Sequence, residues 1–180
     1  MNNLLKIKTV SKIFHLIISG LILILPLYYT LYWAFINHLP ATLITVNTNA
    51  TSSATHPLSI QLQAIGFVVS LFPLSALTYG LLNIRKLFSF YKKGVIFSYE
   101  HVNIFKKTSK ALLFWVFFSI VYESAKSVLF TLGNPPGQRV FSVGISSPEI
   151  TILVVAGIVF VIAWVMDEGR ILTEESRLTV

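Results

Sequence analysis

The chain has no cysteine. Disulfides, thiolate metal sites and cysteine nucleophiles are therefore excluded. It is also poor in charge. Asp, Glu, Lys and Arg make up 12% of its residues, against about 25% in a typical soluble domain, so the surface cannot all face water. Acids are scarcer than bases, 7 against 14. Residues 36–57 contain no Lys or Arg at all. There is no glycine-rich phosphate loop, no G-x-S-x-G elbow and no carboxylate pair in a polar setting. The four histidines, His15, His38, His56 and His101, follow no metal-ligand spacing. The sequence thus offers no catalytic residue, no cofactor-binding residue and no metal site, and it is read as a non-enzyme.

What the chain has instead is four long apolar runs, 13–35, 58–82, 111–132 and 149–165. Each approaches or exceeds the roughly 20 residues that cross a ~30 Å hydrocarbon layer as a helix. The expected fold is all-α, an integral membrane four-helix bundle forming a single membrane domain over residues 1–180. The first run follows Lys6, Lys8 and Lys12, as a signal peptide would. It exceeds a signal h-region in length, however, and ends in Tyr28, Tyr29, Tyr32 and Trp33 instead of small residues. It is read as a retained first helix.

Orientation follows from the cations flanking the runs. Lys6, Lys8 and Lys12 precede the first. Arg85, Lys86, Lys92, Lys93, Lys106, Lys107 and Lys110 lie between the second and third, and Arg170 and Arg177 follow the fourth. The intervening segments 36–57 and 133–148 hold only Arg139. Both termini are expected in the cytoplasm, with outer loops 36–57 and 133–148 and a cytoplasmic tail 166–180. The net charge of +7 then reflects attraction to the lipid bilayer and not direct nucleic-acid binding. The first run's terminal tyrosines and Trp33, and Trp164 in the fourth, are read as interfacial anchors.

Local signals refine this plan. Pro26 and Pro73 sit inside crossings and predict kinks. Segment 41–57, rich in Thr, Ser, Asn and Ala, reads as a solvated outer loop. It carries an Asn49-Ala50-Thr51 sequon. Ser146 and Glu149 form a capping-box pattern with Pro148 in the first turn, placing the start of the fourth helix. Past residue 82, Ile84, Leu87, Phe88 and Tyr91 keep helical spacing. Gly94 suits a C-terminal cap and Ser98 can cap a following helix. Residues 83–110 are therefore expected to extend helices 2 and 3 into a cytoplasmic hairpin.

Glu123 and Lys126 are the only ionisable residues well inside a crossing. Three apart, they share a helix face and can pair. Glu123 lies about 20 Å along the helix from Lys110, in the outer half of the membrane, where a lysine can snorkel. An ionisable residue in a crossing marks a functional candidate. One reading of the chain is therefore a small permease, channel or immunity-type membrane protein that uses this pair.

The ending Glu168-Gly169-Arg170-Ile171-Leu172-Thr173-Glu174-Glu175-Ser176-Arg177-Leu178-Thr179-Val180 resembles E-G-x-x-L-x-x-E-x-x-L-T-V. This pattern closes a bacterial family of small four-helix membrane proteins, domain-of-unknown-function family 2975. Lys93-Gly94-Val95-Ile96-Phe97-Ser98-Tyr99-Glu100 is similar to the family's inner turn, a basic residue and glycine followed by an aromatic, a hydroxyl residue and an acid. The resemblance implies a multi-pass protein of the bacterial inner membrane. Family members are often encoded beside a small helix-turn-helix regulator, which implies a membrane partner or antagonist of such a DNA-binding protein. The candidate partner-binding residues are then Gly94, Phe97, Ser98, Glu100, Glu168, Gly169, Leu172, Glu175, Leu178, Thr179 and Val180. The tail can dock into a partner's groove. It can equally fold back so that Glu168, Glu174 and Glu175 meet Lys92, Lys93, Lys106 and Lys107. A homo-oligomer remains compatible with these residues.

Overall fold

The computed structural model describes the backbone of residues 2–39, 57–95 and 98–178, and side chains over 4–39, 57–95 and 98–172. Four helices follow in order: α1 (Asn2–Ala34), α2 (Ile60–Lys92), α3 (Tyr99–Thr131) and α4 (Ser147–Leu178). A short 3-10 turn, Ile36–His38, follows α1. The described residues contain no strand. All four helices are long and apolar enough to cross a membrane. At 32 or 33 residues each is about 50 Å long, well beyond the ~30 Å of hydrocarbon. α1 begins eleven residues before its apolar run, and α4 continues through the tail to Leu178.

α4 is rich in Val and Ile, which favour strands in water. In hydrocarbon a lone strand would leave its backbone N–H and C=O groups without partners, whereas a helix satisfies them internally. α1 and α2 run without interruption through Pro26 and Pro73. The freed carbonyl groups are re-used locally, as where Thr30 Oγ1 donates to Pro26 O at 2.8 Å.

Burial runs opposite to that of a soluble bundle. Ser70, Ser109, Ser127, Ala156 and Ala163 are buried, while Leu16, Leu23, Ile60 and Val165 are exposed. Small and hydroxyl residues let helices approach and bond across the contact. Large aliphatic chains face outward, where lipid is as apolar as they are. The four apolar helices and this inverted pattern point to a multi-pass membrane protein.

The chain divides into two compact units. One comprises Met1–Leu23, Leu77–Leu113 and Ile152–Val180; the other comprises Ile24–Ala76 and Phe114–Thr151. In the first, α3 meets α4 where Ser109 Oγ donates to Ala156 O at 2.9 Å. α2 ends there in a Schellman motif: Gly94 N–H donates to Tyr91 O at 3.0 Å and Val95 N–H to Phe90 O at 3.2 Å. Gly94 takes φ +80°, which a Cβ would disfavour.

In the second unit the ends of segment 40–56 are clamped by Asn37. Its Nδ2 donates to Leu58 O at 2.9 Å, and its Oδ1 accepts from Leu58 N–H at 2.8 Å. The Asn49 sequon and His56 lie outside the described residues. Beyond α3, Val140 N–H donates to Thr131 Oγ1 and Ser142 N–H to Ser127 Oγ, both at 3.0 Å. α4 starts behind Ser146, whose N–H donates to Glu149 Oε2 at 3.0 Å. The Ser146 hydroxyl also bonds this carboxylate, in place of the backbone amide of a standard capping box. Glu149 is buried and accepts Ser119 Oγ at 3.4 Å as well. The helix N-terminus favours an anion at that position.

Candidate functional site

Two constellations carry the polar chemistry of the described residues, one in each unit. In the second unit Lys126 Nζ lies 2.6 Å from Glu123 Oε1, with side-chain exposures of 8% and 15%. The i, i+3 spacing brings them together on α3. The lysine does not run outward as its position first implied. Its ammonium sits over the Tyr122 ring, 4.9 Å from the centroid, where the ring's electron-rich face offsets part of the lost hydration. Tyr122 also receives the indole N–H of Trp33 at 3.1 Å. Tyr29 approaches Tyr122 edge-on at 6.3 Å, and Tyr32 approaches Trp33 edge-on at 5.7 Å. The result is a buried ion pair with an aromatic shell supplied by α1.

Trp33 corrects its reading as an interfacial anchor. It is 2% exposed, because α2 offers Gly66 at the contact. A Cβ on Gly66 would stand 2.1 Å from the Trp33 ring. Trp164, by contrast, is exposed.

In the first unit the turn between α2 and α3 is built around His101, which is fully buried. Its ring stacks on Tyr91 at 5.1 Å and packs beside Phe90 at 5.3 Å. Ser98 Oγ lies 2.6 Å from His101 Nδ1, so the capping hydroxyl is spent on the imidazole and not on a backbone amide. Nε2 has no partner among the described residues. Burial holds the imidazole below its usual pKa, partly offset by the Val95 carbonyl and the Glu100 charge. Glu100 pairs with Lys86 at 3.0 Å in an exposed position.

α4 joins this unit through Asp167. Its carboxylate meets Lys106 at 3.4 Å and Arg170 at 3.2 Å, and Arg170 lies 5.8 Å from the Tyr99 ring centroid. The expected meeting of Glu168 with the inner lysines is corrected here. Asp167 takes the Lys106 contact, because the uninterrupted helix turns Glu168 outward, where it is exposed. Gly169 is half-buried and Leu172 exposed. Phe97, Thr179 and Val180, and the side chains of Glu174, Glu175 and Leu178, lie outside the described residues.

The family model described as "Protein of unknown function (DUF2975)" matches residues 47–180. The chain belongs to this family. Comparison with curated proteins and with solved structures finds no match. The family region contains α2, α3 and α4, with the inner turn, the ion pair and the Asp167 contacts. α1 lies outside the match, and with it Trp33, Tyr29 and Tyr32. Among the described residues no group of three or more His, Asp or Glu is placed to hold a metal ion.

Sequence reasoning missed three residues that organise these sites. His101 carried a weak signal, standing three residues after a helix-capping serine. Asp167 stands one turn before Arg170 on a helical continuation of a crossing, which makes an i, i+3 pair expected. Tyr122 gave no signal by itself, since its partner is 89 positions away.

Proposed function

We propose that the chain is a non-enzymatic multi-pass protein of the bacterial inner membrane with both termini in the cytoplasm. Its cytoplasmic end holds, or antagonises, a small helix-turn-helix transcription regulator. The observation that carries this reading is charge segregation. Twelve of the 14 Lys and Arg residues belong to the unit of Met1–Leu23, Leu77–Leu113 and Ile152–Val180. The other unit holds only Lys126 and Arg139, balanced by Glu123 and Glu149. Cations flanking membrane helices stay on the cytoplasmic side. In this reading α2 past residue 82 and α3 before residue 111 form a hairpin in the cytoplasm. The partner would meet Gly94, Phe97, Ser98 and Glu100 at the turn. On α4 and the tail it would meet Glu168, Gly169, Leu172, Glu175, Leu178, Thr179 and Val180. Exposed Glu168 and Leu172 support the second surface.

The test is a pull-down from solubilised membranes with the full chain and with a chain lacking residues 168–180. A DNA-binding protein should be recovered with the first and lost with the second. Recovery of none with either chain would overturn the reading. A tag after Val180 that is reachable from the periplasm would overturn the orientation independently.

One observation favours a second reading, a permease, channel or immunity-type protein. The buried Glu123–Lys126 pair inside a crossing is costly to maintain. Under that reading the double substitution Glu123→Gln/Lys126→Met abolishes the phenotype of the intact protein. An unchanged phenotype returns the argument to the regulator.

A further inference from the structure

α1 and α2 meet along a seam within the unit that contains Met1–Leu23 and Leu77–Leu113. Phe14 and Phe88 stack there, with centroids 5.1 Å apart and planes 10° apart. Arg85, Phe88 and Lys92 are spaced i, i+3, i+7, so all three lie on the α2 face that Phe88 presents to α1. A helical side chain points back toward its own N-terminus, so Lys92 leans toward Arg85. The charges of both reach His15, which follows Phe14 on α1. His15, Arg85 and Lys92 are each half-buried.

This arrangement is electrostatically incomplete. Ion pairs among the described residues use Lys86, Lys106, Lys126 and Arg170. None uses Arg85 or Lys92, although Lys86, the next residue along, has Glu100. Two cations held on one face and partly withdrawn from water repel one another, the more so as the local dielectric falls. An anion between them would relieve that repulsion. The depth of the seam says what anion is at hand. Arg85 stands three residues past the apolar run 58–82, about 4.5 Å along the helix, and His15 lies at the edge of the run 13–35. Exposed Leu82, one turn from Arg85 on the same face, and exposed Phe14 continue the seam as apolar surface.

We propose that Arg85, Lys92 and His15 form a binding site for the phosphate of an anionic phospholipid headgroup, with the acyl chains lying along Phe14 and Leu82. The guanidinium can hold two phosphate oxygens at once. The ammonium supplies a point charge, and the imidazole donates an N–H. The site differs from general attraction of basic residues to an acidic surface, because it needs these three groups and not the other lysines. It rests on reading the chain as a multi-pass membrane protein.

The experiment measures lipid retained by the purified full chain in detergent, titrated with phosphatidylglycerol or phosphatidylcholine. Native mass spectrometry counts the adducts. The chain should retain phosphatidylglycerol in preference to phosphatidylcholine. Arg85→Gln/Lys92→Gln should weaken that retention about 30-fold, from about 1 kcal/mol per cation. Lys107→Gln/Lys110→Gln removes the same charge elsewhere and should leave retention unchanged. Arg85→Lys/Lys92→Arg keeps the charges and should retain most binding, which separates loss of the site from loss of the fold. Equal weakening by both neutralising pairs, equal retention of the two lipids, or displacement of the lipid by inorganic phosphate at matched concentration would each overturn the site. The membrane reading has its own readout. Extraction of the chain from membranes by alkaline carbonate without detergent would overturn that reading, while the detergent titration would still report on the site.

Discussion

Trp33 donates its indole N–H to the Tyr122 hydroxyl at 3.1 Å, and the two rings meet at 72° with centroids 6.4 Å apart. This contact ties α1 to α3 at the point where Lys126 rests on the other side of the Tyr122 chemistry. The tyrosine ring faces the ammonium and its hydroxyl takes the indole proton. The ion pair is therefore held by aromatic packing that lies outside the family-matched region.

Gly66 is what admits Trp33. Replacing it with Ala places a Cβ 2.1 Å from the indole. Overpacking of this kind costs about 1–3 kcal/mol, more than the roughly 1 kcal/mol that Ala gains over Gly within a helix. Gly66→Ala should lower the unfolding temperature in micelles. Gly157→Ala, with open space around it, should leave it unchanged or raise it.

Breaking the ion pair on one side should be worse than removing it. Lys126→Met leaves Glu123 as a charge in a site only 15% exposed, and loss of one partner of a buried pair costs about 3–5 kcal/mol. Glu123→Gln/Lys126→Met should recover most of that loss. Denaturant titrations of the three variants give the comparison. A double variant as unstable as Lys126→Met would contradict the pairing.

Gly94 closes α2 with φ +80°. A residue with a Cβ is strained there by about 1–2 kcal/mol. Gly94→Ala should therefore destabilise the α2–α3 turn, and Gly94→Asn should do so less, since Asn visits this region more readily. Hydrogen exchange at residues 90–95 measures the local effect.

His101 makes stability depend on pH. An unfolded histidine takes up its proton near pH 6.5, whereas burial keeps the folded imidazole neutral to lower pH. Between those two values the unfolded chain binds more protons, so stability falls as pH drops below about 6.5 and levels off beneath the folded value. Unfolding in detergent between pH 7.5 and pH 5 should show the decline. His101→Phe, which keeps a ring against Tyr91, should flatten it.

The sequence by itself determined the four helices and their membrane character. Apolar runs of this length with so few charges leave lipid as the solvent, and lipid forces helices because only helices satisfy their own backbone. It also determined the punctuation: Gly94, Ser98 and the Ser146–Glu149 pair mark helix ends by chemistry confined to a few residues. Tertiary structure decided which face of each helix turns inward. In water the hydrophobic face announces itself by period. Here Leu and Ile face out while Ser, Ala and Gly face in, and a nearly uniform apolar helix carries no such period. Only the assembled chain could therefore bury Trp33 against Gly66, seat Lys126 on Tyr122, and choose Asp167 over Glu168 for Lys106.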